Sequence, residues 1–99
     1  MLLIVGTVRI PAEHFAAAQP AMKTMLEATR LEDGCNFYCF AQDVLDPEVL
    51  HISESWRDGA ALKAHAESAH MAVWRKEGAG FGIGERSLKL YKADDGTAI

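Results

Sequence analysis

Four consecutive apolar residues, Leu2-Leu3-Ile4-Val5, begin a strand-like segment that runs from Leu2 to Ile10. A strand in a sheet with one wet face alternates apolar and polar side chains. An unbroken apolar run therefore predicts a strand covered on both faces. In a chain of 99 residues one layer of helices can cover one face, and the other face needs a different cover.

The rest of the chain supplies the helices. Pro11 suits a first helical position, which needs no amide donor, and Glu13 favours the positive helix start. Phe15, Ala18, Met22, Met25, Leu26 and Thr29 then mark one face of a helix reaching about Leu31. Pro20 lies inside that pattern and predicts a kink or break near Ala17–Gln19. Glu32-Asp33-Gly34 reads as a turn, with Gly34 suited to a left-handed cap. Cys35 to Val44 reads as a strand with Cys35, Phe37, Cys39 and Ala41 on one face, and Asn36, Tyr38, Phe40 and Gln42 on the other. Asp46-Pro47-Glu48 is a turn, and Val49 to Trp56 is a strand, the hairpin partner of the one before.

Asp58 is a good N-cap for a second helix that runs to about Glu77 with an interruption near Ser68. Leu62, Ala66, Ala69 and Val73 recur on one helical face, and His65 flanks that stripe, where it should contribute little to the core. Gly78 to Gly84 is glycine-rich, but it leaves a helix and enters a strand, the wrong order for a phosphate loop, so it reads as a mobile connection. Arg86 to Ala93 is the last strand, and Asp94 to Ile99 is a polar tail. Strand, helix, strand, strand, helix, strand is the ferredoxin-like βαββαβ pattern of an α+β fold, in one domain over residues 1–99. Both helices would lie on one sheet face. The other face, apolar at the first strand, predicts a homodimer paired through its sheet faces.

Composition narrows the function. A net charge of -4 with scattered basic residues gives no electrostatic reason to bind nucleic acid or an anionic membrane. No apolar run approaches a membrane span or a signal segment, so the chain reads as soluble and cytoplasmic. Cys35 and Cys39, on one strand, would lie about 13 Å apart, too far for a disulfide, and read as buried free thiols. His65 and His70 are five apart, about 140° around a continuous helix, which separates them. With no HExxH motif and no Cys/His cluster at zinc spacing, no metal site is expected. No GxSxG elbow occurs, and neither cysteine has a neighbour that would activate it.

What remains is a convergence. Glu54 and Trp56 leave a strand on the same side, and if that side faces the second helix, a carboxylate, an indole and the His65 imidazole meet beneath it. A carboxylate beside His65 would set its tautomer and hold its pKa near neutrality, as a general base requires.

The residues Gly34-Cys35 with Tyr38, Glu54-x-Trp56-x-Asp58, Leu62, His65, His70 and Met71 make the sequence similar to the antibiotic biosynthesis monooxygenase family. Those are small dimeric α+β-barrel proteins that include quinol monooxygenases, and the resemblance covers residues 1–93. The resemblance implies oxidation of a small phenol or hydroquinone by O2 with no metal or flavin cofactor. His65 would be the base, with Glu54 and Trp56 as its catalytic neighbours. Asn36 and Tyr38 would hold substrate oxygens, Trp56, Phe40 and Trp74 would line the cavity, and His70 would complete the substrate site. The haem-degrading branch uses an asparagine on the first strand and a tryptophan and histidine on the second helix. Here those places hold Thr7 or Gly6, His65 and Arg75, which argues against haem. An isomerase of a small polar substrate and a non-catalytic ligand-binding or stress module stay open on the same scaffold. Arg9, Lys63 and Arg75 are the only cations near candidate positions for the isomerase.

Overall fold

A computed structural model describes residues 1–99. Strand β1 (Leu2–Arg9) leads into helix α1 (Ala12–Arg30), then strands β2 (Cys35–Gln42) and β3 (Val49–Trp56). Helices α2 (Gly59–Ala66) and α3 (Ala69–Gly80) precede strand β4 (Gly84–Lys92). The strands form one antiparallel sheet in the order β2-β3-β1-β4. This is the expected βαββαβ arrangement with its second helix divided in two. No helix is long and apolar enough to cross a membrane.

The strand registers sort the side chains. Leu2 lies opposite Trp56, Ile4 opposite Glu54 and Val8 opposite Leu50, so the even-numbered residues of β1 and β3 share one face. That face meets the helices. Val8, Leu50 and Ile52 form a core with Ala18 and Met22 of α1, and Met25, Tyr38, Trp56 and Ala61 form a second cluster beside it. The opposite face carries Leu3 and Val5, with Phe37 and Tyr91 exposed, and no helix covers it. Both sides of β1 are apolar, and the chain covers only one of them.

Several local expectations are corrected. α1 is unbroken through Pro20. Ala16 and Pro20 are both exposed, so the carbonyl that lacks an amide partner faces water and the helix continues. The presumed stripe of the second helix fails, because α2 ends at Ala66 and α3 starts afresh at Ala69. α2 buries Ala61 and His65, while Ala66, Ala69 and Val73 are exposed. The glycine-rich stretch forms the end of α3 and a tight turn. Gly78 is buried under Trp74 and Ile83, and Gly82 adopts φ 81° against Pro11. Strand β2 carries a register irregularity between Cys35 and Phe37. It moves Cys35 to the helix-side cluster and Asn36 to the open face, out of the alternation that the sequence implied. Cys39 is exposed rather than buried.

Candidate active site

The site is built where β3 ends and α2 begins. Trp56, fully buried, packs beneath His65 with ring centroids 4.6 Å apart, and the Tyr38 ring lies 5.2 Å from the same imidazole. The indole Nε1 of Trp56 donates to Glu54 Oε1 at 3.0 Å. His65 is therefore core, only 3% exposed, and not the lightly packed flank that a continuous helix would have made it.

The carboxylate that holds His65 is Glu32, read from the sequence only as part of a turn. Its Oε2 lies 2.6 Å from His65 Nδ1 and 3.0 Å from His70 Nε2. An ionised carboxylate can only accept, so Nδ1 of His65 donates to Glu32. Nε2 makes no hydrogen bond within the protein, and no fully buried polar side-chain atom lacks a partner, so Nε2 reaches the open cavity.

The turn bearing Glu32 is pinned by its neighbours. Arg57 grips Asp33 through both terminal nitrogens at 3.1 Å, and its backbone amide donates to the Gly34 carbonyl. Gly34, at φ 82°, lies so close to α2 that a Cβ would meet Ala61 Cβ at 2.5 Å. Only glycine permits that approach.

His70 arrives by the helix break. Ser68 caps α3 by accepting from Met71 N, and its hydroxyl donates to the His65 carbonyl at 2.7 Å. The chain turns at residues 67–68, so the 140° separation expected for one helix does not apply, and the two imidazoles stand 6.1 Å apart.

A cavity of about 490 Å³ opens between the sheet and the helices α2 and α3, within the size range of small-molecule sites. His65, Glu54, Tyr38, Phe40 and Trp74 all line it, and most of the remaining wall is apolar. Trp56 supports the site from below without lining the cavity. His70 lies outside, on a cleft between α1 and α3. Asn36 is also outside: its amide donates to Ser55 Oγ at 3.0 Å and cannot hold a substrate in this cavity. Arg86 does line the wall, a residue that strand parity with Leu88 could have indicated. Arg75 lines it too, but its guanidinium bonds the Ala66 carbonyl at 2.7 Å.

Burial sets the electrostatics. It pushes the Glu54 carboxyl above its ordinary range, against the opposing effects of the Trp56 indole, His65 and the Tyr38 hydroxyl. Burial, followed by the charge of Glu54, raises Tyr38 as well. Cys35 is likewise raised by burial. The result is a largely apolar chamber with an imidazole edge, a reluctant carboxylate and a phenol that stays protonated.

Comparison with known proteins agrees with this architecture. A crystal structure from Deinococcus radiodurans, described as a candidate antibiotic biosynthesis monooxygenase, superposes with a TM-score of 0.90 at 25% identity, covering 100% of this chain and 98% of its own. A Nitrosomonas europaea protein described in the same way gives 0.83 at 21% identity, over 94% of this chain and 98% of its own. A Bacteroides thetaiotaomicron protein, described as a possible oxidoreductase, gives 0.74 at 26% identity, covering 91% and 90%. An uncharacterized Synechocystis protein is 22% identical over 91 residues, and this chain spans 92% of its own length but 62% of that relative's. The sequence profile described as "Antibiotic biosynthesis monooxygenase" matches residues 1–77. By that match, the chain belongs to the antibiotic biosynthesis monooxygenase family.

Proposed function

We propose that this chain is a cofactor-independent monooxygenase that oxidises a small phenolic or hydroquinone-type substrate with O2, with His65 as its base. One observation carries the reading: His65 Nδ1 is committed to Glu32 while Nε2 opens toward an apolar cavity. A hydroxyl of the substrate placed against Nε2 loses its proton there. The phenolate then gives one electron to O2, and the resulting radical pair recombines at a ring carbon bearing hydrogen. The proton returns to the peroxide, and loss of the hydrogen on that ring carbon as a proton then forms the second carbonyl, breaks the O–O bond and releases the outer oxygen as water. For a simple phenol the balance is phenol plus O2 giving quinone plus water. The substrate supplies all the electrons. The protein supplies the base, the orientation and a water-poor chamber that favours electron transfer from the anion.

Trp56 and Tyr38 hold the imidazole plane, Glu54 orders the indole, and Phe40 and Trp74 offer apolar walls to an aromatic ring. The chain acts as one domain and a homodimer, paired through the open sheet face that carries Leu3, Val5 and Phe37.

The test is oxygen uptake by chelator-treated protein with a panel of phenols and hydroquinones, run beside anaerobic controls. Substrate-dependent uptake with quinone formation supports the reading. Binding of the panel with no uptake above the protein-free rate would leave a ligand-binding module instead.

A further inference from the structure

We propose that Glu32, His65 and His70 also form a site for a divalent transition-metal ion of the zinc class, and that an ion bound there withdraws His65 from proton abstraction. The second half rests on the proposed role of His65 as base; the site itself does not.

Three ligand atoms, His65 Nδ1, His70 Nε2 and one Glu32 carboxylate oxygen, lie within 4.8 Å of one another. They come from the turn after α1, from α2 and from the first turn of α3, so three separate segments converge on one point. Tetrahedral zinc with ligands at about 2.0–2.2 Å sets neighbouring ligand atoms roughly 3.3 Å apart. The two contacts of Glu32, at 2.6 and 3.0 Å, open by about 0.7 and 0.3 Å to meet that spacing. The imidazole nitrogens, within 4.8 Å of each other, close by up to about 1.5 Å through rotation of their side chains.

Two imidazoles and one carboxylate make a three-ligand set of the kind that binds zinc with a fourth position open. Magnesium and calcium require more oxygen ligands than this set provides. The side chains of His70 and Glu32 keep 23% and 16% of their exposure, and His70 lines the cleft between α1 and α3, which gives an ion access. The Nδ1 side of the His65 imidazole thus faces Glu32 and His70, and the ring lines the substrate cavity on its other side.

That division gives the ion a consequence. In the metal-free protein the proton of His65 is on Nδ1. Metal coordination at Nδ1 of a neutral imidazole places the ring proton on Nε2. The nitrogen facing the substrate then donates and cannot accept, so the occupied protein has no base at this position.

The experiment uses full-length, chelator-treated protein titrated with Co2+, followed through its visible d–d bands, and then with Zn2+ as competitor. One equivalent per chain should bind, Zn2+ should displace it, and His70→Ala and Glu32→Gln should each weaken binding at least about tenfold. Long-range 15N–1H correlation of the histidine rings should show His65 changing from the Nδ1–H to the Nε2–H tautomer as Zn2+ is added. No saturable cobalt spectrum, or unchanged affinity in both variants, overturns the site. Saturable binding with the His65 tautomer unchanged overturns the withdrawal of the base. Absence of oxygen uptake in the metal-free protein would sink only the oxygenase reading, because neither the cobalt spectrum nor the tautomer depends on turnover.

Discussion

His65→Ala should destabilise the fold strongly, and the structure gives the size of the effect. The imidazole is 3% exposed and packed between Trp56 at 4.6 Å and Tyr38 at 5.2 Å, so its removal leaves a cavity under α2. Truncation of a buried ring to alanine costs on the order of 2–4 kcal/mol. The lost hydrogen bond to Glu32 is charge-assisted and worth about 1.5–3 kcal/mol. Part of it is recovered, because Glu32 remains bonded to His70 and is partly solvated. A net loss of roughly 3 kcal/mol corresponds to about 12–24 °C in melting temperature for a domain of this size. His65→Asn is the matched variant: its amide nitrogen can take the place of Nδ1 and donate to Glu32. It should recover about 1 kcal/mol of the loss. Thermal unfolding followed by circular dichroism at neutral pH makes the comparison. An alanine variant that melts within about 3 °C of the parent, or an asparagine variant no better than alanine, would refute this account of how His65 is held.

Other perturbations separate the remaining forces. Glu54 is buried, and its folded-state carboxyl lies above the ordinary 4.5, so the folded chain binds its proton more tightly than the unfolded chain and stability falls as pH rises through that window. Glu54→Gln keeps an oxygen for the Trp56 indole and should therefore gain stability relative to the parent as pH rises above the ordinary 4.5; a pH-independent difference in melting temperature would contradict the burial argument. Gly6→Ala should cost on the order of 3 kcal/mol or more, because a Cβ there would stand 1.9 Å from the Ser87 carbonyl oxygen between paired strands. A variant that unfolds at the parental denaturant midpoint would show that β1 and β4 are not packed as described. Leu3→Lys or Val5→Lys places a charge on the uncovered sheet face and should give monomer or aggregate by sedimentation; wild-type protein that sediments as a monomer of about 11 kDa at micromolar concentration would remove the dimer.

Much of this molecule can be read from its residues, and the failures share one physical origin. Element order and the two faces of the sheet follow from local periodicity, which is why spacing alone put Glu54 and Trp56 on the side that meets His65, while Tyr38, Phe40 and Trp74 came to the site through the family resemblance. Periodicity presumes an unbroken element. The irregularity between Cys35 and Phe37 reverses the parity that put Asn36 beside Tyr38. The break at Ser68 replaces the angle that separated His65 from His70. Glu32 is a different case, because its contact with His65 spans 33 positions and no local pattern encodes it. Its signal was indirect: an acid one residue from an Asp-Gly turn that packs against α2 through Gly34. Pro20 shows the converse, since the sequence marks the missing amide but not that the orphaned carbonyl faces water.

The most direct test of His65 as the base is turnover by His65→Asn, measured at a temperature where both it and the parent are fully folded. The variant retains a donor to Glu32 and the cavity walls, but it has no nitrogen that can accept a proton from the substrate. Its turnover with the best substrate in the phenol and hydroquinone panel should fall by about 10²–10⁴, with binding of a non-oxidisable analogue little changed. Turnover within about threefold of the parent, with the variant folded and the analogue bound, would contradict the assignment of His65 as the base.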